Sequence, residues 1–387
     1  MKVKQQNTRG IYFSFCAFLT DFIMFTSVGV TDEMASSLGT TSSKIGLIFT
    51  FYSLFFAISS PFFDWVLKIK REFFNDFRIV ILGLLLFSFG NLFCGISNEL
   101  LFSILAASFT ASGASLVSVR LSKQASFTNK KIKSALGYIY LGFGFASALG
   151  LSIVSEISSH FGWRIIYIVV SIIGIILMIV FLNHQSWFLA EEIYFNETNK
   201  FLGKSKKMAF TLIICITFLV VSANSVFEIY VNPLAISLHL KSKEIIFIFL
   251  ALGLGSVLGS YFGSKMSLTT NSLRYLRLFL LFFSLSGVCI YLLRFNIILM
   301  LLSLFFWSFF QWSTGPICLL LIIRLSTTFR SIGIGINNIS QNLGACVGSF
   351  IGLLSFSGFG VSSLSLSSSL IVLVGFFLTF SIKLEKL

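Results

Sequence analysis

Most of this chain cannot do chemistry, so the exceptions stand out. Of its 14 acidic residues, Asp21, Glu156 and Glu228 fall within long apolar runs. A charge held there costs on the order of 3 kcal/mol, so such a carboxyl pairs, takes up a proton or marks a ligand path. Asp21 lies near the middle of its run and Glu228 in the last third of another; both are expected to carry a proton or a cationic ligand group. Glu156 lies at the end of its run and reads as an interfacial carboxylate. Asn224, Glu228 and Asn232 recur every fourth residue, which places one polar stripe on an otherwise apolar helix. That stripe faces either a watery cavity or a neighbouring helix that it clamps, and Pro233 weakens the helix just beyond it. Gln311 sits in the middle of another run, and Asn337, Asn338, Gln341 and Asn342 form two i, i+4 amide pairs. An amide in lipid needs a partner, so these line a cavity or bond helices together.

Other chemistries find no support. The three histidines (160, 184, 239) lie at or outside the ends of apolar runs, and HExxH and phosphate-cradling GxxxxGK[ST] patterns are absent. The six cysteines show no CxxC spacing, which argues against a zinc site or disulfides. No metal, no cofactor and no enzymatic activity are expected.

The elements that hold these residues follow from composition. The chain has 387 residues, 56% hydrophobic and 11% charged, against roughly 25% charged in soluble proteins. That deficit excludes a soluble enzyme or a nucleic-acid module, despite the net charge of +14. Continuously apolar runs of about 20 residues are membrane helices, not barrel strands. Twelve are expected, near 11–30, 45–66, 79–97, 100–119, 134–157, 164–182, 208–231, 245–264, 275–293, 297–322, 331–355 and 362–382. The first is read as a retained span, not a cleaved signal. Placing the amino terminus inside puts 23 of the 28 Lys and Arg on the cytoplasmic side and five outside. Both termini and the polar stretch 183–207 are then cytoplasmic, dividing the chain into bundles 1–182 and 208–387. The expected fold is all-α and integral to the cell membrane, with two six-helix bundles; a monomer is the expected state.

LGTTSSKIG (38–46) and LHLKSKEII (238–246) join the first and second spans of each half, 200 residues apart. Internal repeats of this kind mark secondary transporters, in which a small-molecule site lies between the halves near the midplane. Small residues also recur every four positions: Gly142, Ala146, Gly150; Gly255, Gly259, Gly263; Gly344, Gly348, Gly352. Such stripes let helix backbones approach closely, either as static packing or as surfaces that slide.

GLLLFSFGNLFCGIS (83–97), FGWR (161–164), VNPL (231–234), GLGSVLGSYFG (253–263) and INNISQNLGACVGSFIG (336–352) resemble, in order, the drug and sugar efflux branch of the major facilitator superfamily, which includes arabinose and purine exporters. The resemblance implies two bundles alternating between inward- and outward-open states, with proton-coupled efflux of a drug, sugar or metabolite. It places the glycine stripes (Gly142, Gly150, Gly255, Gly259, Gly344, Gly348) between bundles. The chain departs from the family pattern in PFFDWVLKIKREFFNDFR (61–78), which is longer than the family's loop and lacks its glycines, and in Ser108, where the family has a buried Arg. A facilitator importing amino acids or other metabolites is the nearer alternative. A polytopic enzyme or scramblase acting on lipid is the more distant one.

Overall fold

The computed structural model describes residues 2–69, 75–126, positions 142, 145, 146, 150, 153 and 154, then 156–187, 204–240, 242–326 and 330–382. The expected fifth span and the polar stretch 183–207 lie largely outside these. Contacts divide the chain into two compact units, Met1–Tyr194 and Phe195–Leu387.

The described residues form helices and no strand. The first unit contains α1 (Lys2–Gly29), α2 (Thr31–Ser37), α3 (Ser42–Ile69), α4 (Asp76–Gly95), α5 (Leu100–Ser126) and α6 (Trp163–Asn183). The second contains α7 (Lys204–Glu228), α8 (Val231–Ser237), α9 (Ser242–Ser267), α10 (Ser272–Leu293), α11 (Ile297–Leu325), α12 (Arg330–Phe359) and α13 (Leu364–Leu378). Among the described residues, ten segments are long and apolar enough to cross a membrane. On α6 Ile165, Val169, Ile172, Ile176 and Ile179, spaced by three and four, are exposed, with Ile175 and Leu182 also exposed. A stripe of that kind is stable only against lipid, since water would penalise so large an apolar face.

Both units start alike. A long helix breaks, a short helix follows, and a left-handed residue turns the chain into the next long helix. In the first unit Gly39 takes φ +61°, and the Thr40 amide donates to the Ala35 carbonyl at 2.9 Å. In the second His239 takes φ +55°, and the Leu240 amide donates to the Ala235 carbonyl at 3.2 Å. These are matched Schellman caps 200 residues apart, one with the usual glycine and one without it. A second pair of turns, at Gly162 and Gly360, shares φ +80° and leads into α6 and into the short turn before α13.

A break between α7 and α8 falls inside the span Ser205–Ser237, so Asn232 does not continue the helix that carries Asn224 and Glu228. Pro233 has no amide hydrogen, and its ring would collide with the Ile229 carbonyl in a continuous helix. The chain resolves this by ending α7 at Glu228 and restarting with Pro233 in the first turn of α8. α5 also runs seven residues past the expected end at 119.

Among the described residues, the glycine stripes make close contacts inside their own units. A Cβ at Gly344 or Gly348 would lie 2.5 Å from the Phe218 carbonyl oxygen or 2.2 Å from that of Ser222, both on α7. At Gly255 and Gly259 it would lie 2.5 and 2.3 Å from the carbonyls of Phe305 and Phe309 on α11. A Cβ at Gly142 would reach the Ser14 carbonyl of α1 at 2.2 Å; Gly150 is buried. Dispersion and short polar bonds hold such pairs, because lipid gives helices no hydrophobic drive to associate. Ser308 and Ser313 of α11 donate to the carbonyls of Leu252 and Gly259 at 2.6 and 3.0 Å, beside that stripe.

Candidate functional site

In the second unit the polar groups cluster where α7 ends. Asn224 and Glu228 are both buried, and the Asn224 amide donates to the Glu228 carboxyl, which has no other partner among the described residues. Asn232 stands half-buried on α8, past the break. The Phe227 ring, next to Glu228, meets the Trp307 ring edge-on at 5.1 Å, and Phe283 meets Trp307 at 5.4 Å. This packing sets the end of α7 beside the middle of α11, where Gln311 follows Trp307 by one turn. Asn224 Oδ1, Trp307 Nε1 and Gln311 Oε1 are all buried without a hydrogen-bond partner among the described residues. Left that way, each would cost about 1–3 kcal/mol, which a hydrogen bond from water would offset.

α12 carries the remaining amides. Asn342 donates to the Asn338 carbonyl at 2.9 Å within α12, and Ser340, in the same run, donates to the Ile214 carbonyl of α7 at 2.9 Å. Asn337 is buried with Oδ1 unsatisfied, and Gln341 is half-buried.

In the first unit Asp21 is half-buried on α1 and lies within electrostatic reach of the Tyr52 hydroxyl of α3, which donates to the Thr20 carbonyl at 3.2 Å. Glu156 is exposed and 3.7 Å from His160, as fits an interfacial carboxylate. Ser108 is buried and donates to the Ile104 carbonyl at 2.9 Å.

One cluster escaped the sequence reading. Arg120, counted there among loop charges, lies in the extended α5, is 2% exposed, and sits 3.5 Å from Asp76 in the first turn of α4. Gln124 donates to the same carboxylate at 3.4 Å and accepts from Arg9 of α1 at 3.2 Å. Asp76 suits the positive end of the α4 dipole, so the cluster ties three helix ends together. Its sequence signal was a charged residue at each end of two antiparallel spans.

On α2 Glu33 accepts from the Ser158 hydroxyl, and Asp32 from that of Ser42. Burial, and then the neighbouring charge of Asp32, push the Glu33 carboxyl above its ordinary range. Trp163 Nε1 donates to Ser37 Oγ at 2.9 Å and seats the other end of α2.

This architecture has clear relatives. A Bacillus subtilis protein named as the uncharacterized MFS-type transporter YbcL is 25% identical over 94% of this chain and 91% of its own. A probable sugar efflux transporter of Pasteurella multocida is 21% identical over 96% and 91%. A probable sugar efflux transporter of Helicobacter pylori strain J99 is 24% identical over 98% and 96%. Among solved structures, a mutant of the peptide transporter POT superimposes with a TM-score of 0.74 at 12% identity, over 98% of this chain and 94% of that one. The family model of the Major Facilitator Superfamily matches residues 13–349. Helices, repeat and family match agree: the chain is a multi-pass membrane transporter, not an enzyme, and belongs to the Major Facilitator Superfamily.

Proposed function

We propose that the chain exports a small organic solute, a sugar, drug or metabolite, across the cell membrane in exchange for protons. The observation that carries this is a division of polar chemistry. The first unit holds a half-buried acid, Asp21, facing a tyrosine hydroxyl. The second holds a buried acid, Glu228, among amide and indole groups with unsatisfied atoms. In this reading Asp21 carries the coupling proton. Glu228, Asn224, Gln311 and Asn337 hold the solute, with Asn232, Asn338 and Gln341 as further contacts and Glu228 as a second ionisable point. Groups left short of hydrogen bonds suit a solute rich in hydroxyl or amide groups, because only such a ligand recovers their desolvation cost. The probable sugar efflux transporters among the relatives support export. The 23-to-5 charge split supports cytoplasmic termini.

Purified protein in liposomes, given a panel of labelled sugars, nucleosides, amino acids and amphipathic cations under an imposed pH gradient, tests the reading. Uphill movement of one class against an inward proton gradient is the expected result. Equal flux with and without the gradient for every class transported would contradict proton exchange.

A further inference from the structure

The first unit encloses a small cavity of ≈ 10 Å³, the room of about one water. Each of the five long helices described in that unit brings to it a side chain able to hold or pass a proton: Ser27 of α1, Tyr52 of α3, Cys94 of α4, Thr110 of α5 and Tyr167 of α6. Packing alone does not call for that convergence, since every polar group in a core costs free energy unless it is bonded. Three already use one hydrogen bond each: Tyr52 to the Thr20 carbonyl at 3.2 Å, Thr110 to the Ala106 carbonyl at 3.1 Å, and the Cys94 thiol to the Ser103 carbonyl at 3.8 Å. Tyr167 is 4% exposed, and among the described residues its hydroxyl has no hydrogen bond. A water in the cavity would give that hydroxyl a partner and still have positions for its neighbours.

The cavity has two neighbours of interest. One is Asp21, which stands on α1 two and three residues before the lining residues Ile23 and Met24 and, like Tyr167 and Cys94, lies within electrostatic reach of the Tyr52 hydroxyl. The other is Ser103, whose Oγ lies 2.7 Å from Ser97 Oγ in the α4–α5 turn. That turn carries the exposed Asn98, and its Ser97 carbonyl accepts from Arg164 at 2.9 Å. With the amino terminus inside, this is the outer face.

We propose that the cavity is a water site through which a proton passes between the α4–α5 turn and Asp21. The inference rests on Asp21 carrying the coupling proton, and it adds the route by which that proton arrives. The water accepts a proton from the outer side and gives one to the Asp21 carboxylate. It ends as water, and nothing is oxidised or reduced. The titratable and charged groups along the path are Asp21 on α1, Tyr52 on α3, Cys94 on α4 and Tyr167 on α6, with Thr110 as the neutral contribution of α5 and with Glu99 and Arg164 at the α4–α5 turn.

The test uses the full chain in liposomes. External pH is dropped in a rapid mixer while the infrared band of the protonated Asp21 carboxyl, assigned by its loss in Asp21→Asn, is followed in time. Tyr167→Phe keeps the ring and removes the hydroxyl, and Ala107→Leu fills the cavity wall. Each should slow the rise of the band about tenfold and leave its final height unchanged. Should one variant not fold, the other carries the test, with Thr110→Val in reserve. Parent-like rates overturn the route while leaving Asp21 as the proton carrier. Absence of any Asp21 band in the parent overturns the carrier, and the route with it.

Discussion

The two units share a backbone plan and fill it differently. Each has a long helix, a break, a short helix and a Schellman cap at the same 200-residue spacing. In the first unit the charged groups are engaged: Asp76 holds Arg120 and Gln124, and Asp21 faces Tyr52. In the second, glycine stripes bring α12 against α7 and α9 against α11, as Gly90 and Gly113 do for α4 and α5 in the first. Unsatisfied amide and indole atoms, present in the first unit at Asn91 and Trp187, here accompany the buried Glu228. Repeated backbone geometry therefore does not imply repeated chemistry. The frame is duplicated, and the side chains inside it differ.

The sharpest way to break the comparison is to disturb the glycine contacts. Gly348→Val places atoms against the Ser222 carbonyl, where even a Cβ would lie at 2.2 Å. Overpacking of that order costs about 3 kcal/mol or more, and the variant should show a strongly lowered melting temperature or no folded protein. Gly375→Ala on α13, whose new Cβ would meet only the Leu219 side chain at 3.8 Å, should melt with the parent. Equal behaviour of the two would mean that the stripes do not hold the second unit together.

The counterpart in the first unit is ionic. Asp76→Asn removes the carboxylate 3.5 Å from Arg120, which is 2% exposed. Removing one partner of a buried pair costs about 3–5 kcal/mol. Asp76 is 34% exposed, so solvent screening reduces the expected loss to about 1–2 kcal/mol. A melting temperature unchanged in low salt would show that the cluster adds nothing.

How much of this was legible beforehand differs between the same two layers. The helical, membrane-spanning architecture came from hydropathy, because lipid leaves the backbone few choices. The α7 break was signalled only by Pro233, and the polar stripe drew attention away from it. Arg120 looked like a loop charge because hydropathy falls before the helix ends; nothing local marks that Asp76 will meet it. The first-unit cavity was invisible for a stronger reason. Ser27, Tyr52, Cys94, Thr110 and Tyr167 are each unremarked in their own span, and only tertiary packing brings five helices to one point.

A smaller effect separates the two caps. His239 occupies a left-handed position that costs a side-chain-bearing residue about 1 kcal/mol relative to glycine. His239→Gly should raise stability by about that amount, less the added entropy of the unfolded chain. Gly39→Ala should lower it. Thermal melts of both variants in one detergent test the pair, and a loss of stability in His239→Gly would show that the imidazole has a role of its own.

The smallest expected effect concerns Glu33. Its carboxyl sits above its ordinary range in the folded chain, so the folded form binds the proton more readily than the unfolded form. The resulting contribution is fully present below the unfolded value and is lost as pH rises through the folded one. Glu33→Gln should flatten that part of the stability curve through the acidic range. A variant curve with the parent's slope would contradict it.

The central claim is that the first unit handles the proton through Asp21 while the second holds the solute near Glu228. It is tested most directly by comparing gradient-driven uphill transport with solute exchange at equal pH, in liposomes bearing Asp21→Asn or Glu228→Gln. The account predicts that Asp21→Asn keeps exchange and loses uphill transport, whereas Glu228→Gln weakens apparent solute affinity in both assays. Uphill transport that persists in Asp21→Asn would contradict it.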